Sequence, residues 1–115
     1  MSTSEQRRAS RKPPLAPIEV SDALTGENIG RIGNLSRNGM MLISRRMLNA
    51  DALYQVRFHL PDREGRMRLL EAGVHEQWSE PAAVPGQHWA GLRIIALSDA
   101  DETVLAEWLD GPEGM

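Results

Sequence analysis

The sequence predicts a mainly β fold: a six-stranded antiparallel β-barrel with a C-terminal α-helix and a flexible basic N-terminal tail. Three observations carry that expectation. Six short runs between residues 18 and 95 have strand character, and Gly, Pro or Asn turns separate them at close spacing, as in a small closed sheet. After the last run the apolar spacing lengthens from two residues to the three or four of a helix. Before the first, residues 1–12 are polar, aperiodic and rich in arginine.

Each element follows from local chemistry. Pro13, Pro14 and Pro17 stiffen an extended approach to the barrel, because proline fixes φ and biases the preceding residue away from helix. Residues 18–24 open with Ile18 and Val20 two apart, which suits a half-buried strand. Thr25-Gly26-Glu27-Asn28 is the turn, and residues 29–35 form the second strand, with Gly30 and Gly33 marking weak points or close backbone approach. Asn34-Leu35-Ser36-Arg37-Asn38-Gly39 reads as a polar turn with a glycine hinge.

Residues 40–43 are a continuous apolar run, expected as a strand buried on both faces, and residues 44–50 are expected to form a single helical turn. Residues 54–60 put Val56, Phe58 and Leu60 on one face and Arg57 and His59 on the other. Residues 61–65 turn the chain into a long strand over 67–78, bent at Gly73. Residues 79–87, with Pro81, Pro85 and Gly86, are a loop, and 88–95 return as the last strand. Ser98 caps the helix, Asp99, Asp101 and Glu102 fill its first turn, and Val104 with Trp108 and Leu105 with Leu109 form its apolar face. Gly111-Pro112 stops it. The expected organisation is a tail over 1–12, one folded domain over 13–111 and a disordered end over 112–115.

Composition narrows the function. With 41% apolar and 25% charged residues the chain has the balance of an ordinary soluble domain. The absence of cysteine removes disulfides and thiolate metal sites and makes the cytoplasm the default compartment. No apolar run reaches membrane-spanning length, and residues 1–12 lack the apolar core of a signal peptide, so no membrane insertion is expected. The net charge is −3, yet residues 1–12 carry +3, which leaves −6 on the rest. A body of that sign repels a nucleic-acid backbone, so neither DNA nor RNA is an expected partner. A small, doubly charged anion suits the cationic tail better.

Catalysis finds no support. His59, His75 and His88 are not spaced as metal ligands, and HExxH, Walker A and GxSxG patterns are absent. The expectation is a binding protein with no catalytic residues, no metal and no cofactor.

Two short motifs remain. Arg7 and Arg11 form RxxxR, with Arg8 between them, and Asn34, Ser36 and Gly39 form NxSxxG. Taken singly, each has an ordinary reading, as a solvated basic terminus and a strand-to-strand turn. In this order, ahead of a short barrel, they resemble the signature of the PilZ family, whose members bind the bacterial second messenger cyclic di-GMP. Gly39-Met40-Met41-Leu42 and His88-Trp89-Ala90-Gly91-Leu92-Arg93 are similar to strands of that family, so the resemblance spans nearly the whole chain.

The resemblance implies a cyclic di-GMP receptor. Arg7 and Arg11 would take a guanine edge, a phosphate or a purine face, since the guanidinium fork matches guanine O6 and N7 and also stacks. Asn34 and Ser36 would supply neutral hydrogen bonds, and Gly39 the backbone geometry. Arg8, Arg37 and Trp78 are secondary candidates at the ligand. Binding would order the tail and change the surface offered to an effector protein, the receptor being a monomer or weak dimer. The alternative is a PilZ-like adaptor that binds protein and no nucleotide.

Overall fold

Alternation of apolar and polar side chains builds the barrel wall. The computed structural model describes residues 11–111, so Arg7, Arg8 and the rest of the expected tail up to residue 10, with residues 112–115, lie outside the described residues. Six strands follow in order: β1 (Glu19–Asp22), β2 (Asn28–Leu35), β3 (Gly39–Ser44), β4 (Leu53–Pro61), β5 (Met67–Pro81) and β6 (His88–Leu97), then the helix α1 (Asp99–Asp110). All pairings are antiparallel and the sheet closes in the order β1-β2-β3-β6-β5-β4, with β4 returning to β1. Closure leaves no open edge.

Inward positions at every second residue make the core. Val56, Phe58 and Leu60 of β4 face Leu70, Ala72 and Val74 of β5, with Leu42, Leu35 and Val20 from the other side of the barrel. α1 adds Val104, Leu105 and Trp108 to the same core. The side chain of Ser98 accepts from the Asp101 N–H as the N-cap, and the acids of the first turn stand where the helix dipole favours them.

Four local expectations change. β3 is not buried on both faces: Met40, Leu42 and Ser44 are buried while Met41 and Ile43 are half-buried, because no second layer covers the outside of the barrel here. Of residues 44–50, Ser44 ends β3 and 45–50 form a bend and a loop, not a helical turn. There the polar groups find tertiary and side-chain partners, Arg46 N–H on Ser44 Oγ and Asn49 N–H on the Tyr54 hydroxyl, while Leu48 drops into the core. Several strands run longer than alternation suggests, β5 to Pro81 and β6 to Leu97, because both continue through bulges that break the period of two.

The fourth change is at the end of the expected tail. Lys12 already belongs to the folded body: it is 5% exposed and exchanges two backbone hydrogen bonds with Leu35, at 2.9 and 3.1 Å. The five residues after it leave the sheet, and pairing with β2 resumes where Ile32 N–H donates to Ile18 C=O.

Candidate functional site

The NxSxxG motif straddles the β2–β3 connection. Asn34 and Leu35 end β2, residues 36–38 make the turn, and Gly39 opens β3. Ser36 is buried, its N–H donates to Gly39 C=O at 2.8 Å, and its hydroxyl lies 3.2 Å from both Asn38 Oδ1 and Gly39 O. The hydroxyl has one proton to donate and spends it inside the turn, so Ser36 shapes the loop that presents its neighbours.

Gly39 is required for space. It is not among the residues at positive φ, so the expected hinge is extended backbone. A β-carbon on it would stand 2.9 Å from the Leu92 carbonyl oxygen. The missing side chain lets β6 approach β3 and brings Arg93, its register partner, beside the motif.

Two bulges decide what faces outward. In β2 the register shifts between Ile32 and Asn34; without that extra residue Asn34 would point inward like Ile32. In β5 it shifts between Glu76 and Trp78, which turns Trp78 out while Glu76 stays buried, its carboxylate accepting from Asp51 N–H and the Ser79 hydroxyl. Asn34, Met41, Gly91 and Trp78 are consequently register partners in one lateral row on the outer surface. A parallel row carries Gly39, Arg93, His75 and Leu53. The Trp78 indole lies directly over Gly91, where any β-carbon would collide with the ring.

The arginines divide into paired and unpaired side chains. Arg46, Arg57, Arg63, Arg66 and Arg68 are each paired with a carboxylate. Among the described residues, the side chains of Arg11, Arg31, Arg37, Arg45 and Arg93 have neither an ion pair nor a hydrogen bond. Arg11 precedes the Lys12–Leu35 bridge, Arg37 is in the turn and Arg93 pairs with Gly39, so three of these five uncompensated cations lie around the motif, while Arg31 sits in β2 opposite Glu19 and Ile43 and Arg45 follows β3. A cationic patch beside an exposed indole can hold an anion that carries planar rings.

Of the sequence candidates, Arg11, Asn34, Ser36, Arg37, Gly39 and Trp78 fall on or beside this face, and Arg7 and Arg8 lie outside the described residues. Sequence reasoning missed Gly91 and Arg93 as parts of the site. Their signal was present in Trp89-Ala90-Gly91-Leu92-Arg93, a glycine two residues from an arginine on one face of a strand. A concavity of about 370 Å3 lies elsewhere, between residues 15–19, the β4–β5 hairpin and Trp108. Its lining is mostly apolar and contains none of the motif residues.

A model of the PilZ domain matches residues 5–111. The chain belongs to the PilZ domain family. Its fold is similar to that in the structure of the Bacillus subtilis inhibitor of motility (MotI/DgrA), with a TM-score of 0.74 at 14% sequence identity, covering 90% of this chain and 49% of that one. This PilZ domain thus spans about half the length of that neighbour. No curated protein matches it. Among the described residues no helix is long and apolar enough to cross a membrane.

Proposed function

We propose that this PilZ domain is a cytoplasmic cyclic di-GMP receptor that works by binding and not by catalysis. The observation that carries the reading is the gathering of Arg11, Arg37 and Arg93, all without carboxylate partners, around the turn of the NxSxxG motif. An unpaired guanidinium offers a bidentate fork to a phosphate or to guanine O6 and N7. Arg11, joined by Arg7 of the RxxxR motif and by Arg8, takes one side of the dinucleotide, and Arg93 takes the other. Asn34 contributes a neutral hydrogen bond from the outer row, and the Trp78 ring over Gly91 offers a face for a purine.

Binding orders the segment before Arg11 over the barrel and alters the surface seen by an effector protein, a disorder-to-order switch. The adaptor reading has one observation in its favour, the apolar groove with the exposed Leu15 and Met67 in its lining. It predicts protein binding without nucleotide.

The two are separated by binding of fluorescent cyclic di-GMP with unlabelled cyclic di-GMP and cyclic di-AMP as competitors. The receptor reading expects competition by the guanine ligand and little by the adenine one, because adenine replaces the O6 acceptor with a donor. Equal competition removes the guanine assignment, and no binding of the labelled ligand favours the adaptor.

A further inference from the structure

Lys12 is the only lysine of the chain. Its ammonium is buried against the end of α1, donating to the Trp108 carbonyl oxygen at 2.6 Å, lying 3.4 Å from the Gly111 carbonyl oxygen and standing 4.6 Å from the centroid of the Trp108 ring. The last carbonyls of a helix lack internal partners and form the negative end of its dipole, so a cation there is favoured. α1 has no basic residue in its own last turn. The cation arrives instead from a residue 96 positions earlier.

The main chain of the same residue is held by the two hydrogen bonds to Leu35, the residue before Ser36. One side chain therefore ties together the β2 end that leads into the motif, the C-terminal turn of α1 and the backbone that carries Arg11.

We infer that Lys12 is a positioning residue that links ligand occupancy at Arg11 to the C-terminal turn of α1. The inference rests on the receptor reading above. With Lys12 seated, Arg11 starts from a fixed point beside the motif, and the ligand orders only what precedes it. When the anchor is lost, the binding-competent arrangement is a fraction of the population and the apparent affinity falls by that fraction. Reciprocity then requires the bound ligand to favour the seated lysine and with it the closed helix end. The helix end, and the groove that Trp108 lines, become the surface where bound and free protein differ.

The test is amide hydrogen exchange at residues 108–111, with and without cyclic di-GMP, in the full chain and in Lys12→Met and Lys12→Arg, beside a binding isotherm for each. The parent is expected to gain protection at these amides on binding. Lys12→Met is expected to bind about three- to thirtyfold more weakly and to lose the ligand-dependent protection. Lys12→Arg, which keeps a cation able to stack on the indole and donate, should recover most of both. A lysine that only stabilised the fold would lower the melting temperature and leave the ligand-dependent protection in place. That outcome, or a parent that binds without added protection at the helix end, overturns the coupling alone. A parent that does not bind cyclic di-GMP overturns the receptor reading and the coupling together. Should Lys12→Met fail to fold, the parent and Lys12→Arg decide: helix-end protection on binding in both supports the link, and its absence in the parent removes it.

Discussion

Gly39 and Leu92 approach so closely across β3 and β6 that a β-carbon on the glycine would stand 2.9 Å from the Leu92 carbonyl oxygen. The neighbour is backbone, so it cannot swing aside, and a larger residue must push the two strands apart. Gly39→Val is expected to cost about 1–3 kcal/mol of stability and to weaken ligand binding by displacing Arg93. Chemical denaturation of parent and variant checks this, and identical midpoints would remove the close-approach role.

Ser36 is expected to act through the turn. Its buried hydroxyl bonds within residues 36–39, so Ser36→Ala should cost about 1 kcal/mol of stability in addition to affinity. The check is to measure melting and binding on the same preparation. Weakened binding with an unchanged melting temperature would place the hydroxyl on the ligand instead.

The division of the arginines gives a paired comparison. Arg93→Ala and Arg11→Ala should each lower cyclic di-GMP affinity about ten- to a hundredfold, the loss of a charge-assisted contact. Neither should change stability by more than about 0.5 kcal/mol, since both side chains are exposed and unpaired. Arg57→Ala removes an arginine that is paired with Glu71 and lies outside the cationic patch, and it should leave the isotherm unchanged. Equal losses from all three would mean that net charge, and not the site, governs binding.

Acid stability should depend on Asp62 in the β4–β5 hairpin. Burial raises its pKa, but hydrogen bonds from the Arg66 N–H, the Arg68 guanidinium and the Glu64 N–H, with the Arg66 charge, outweigh that and hold it below the usual 3.8. A group whose pKa is lower when folded stabilises the fold above its unfolded value and loses that contribution as pH falls through the folded one. Asp62→Asn should therefore flatten the fall in stability below about pH 3.8 relative to the parent. Parallel stability curves for the two proteins below that pH would contradict the assignment.

Much of the fold was legible because its signals are local. Period-two alternation in β4, the Ser98 cap and the i, i+4 pairs of α1 are each complete within a few residues. What the chain hid were the places where the period breaks. The bulges at Gly33 and Gln77 each insert one residue, and that single step puts Asn34 and Trp78 on the outer face with Met41 and Gly91. Simple alternation assigns both to the wrong side. Lys12 is not legible in the sequence as part of the fold because its partners, Leu35 and Trp108, are distant along the chain. Arg93 carries no local signal of the site because it joins it only through its pairing with Gly39, a contact between strands that are not consecutive.

The measurement that bears most directly on the central claim is an isothermal titration of cyclic di-GMP into the full chain at low and at physiological salt. Unpaired guanidinium groups facing a doubly charged ligand predict saturable binding that weakens as salt screens the ionic contacts, and that is reduced in the Arg11→Ala variant. No binding at either salt concentration, or binding that neither salt nor Arg11→Ala alters, would contradict the receptor account.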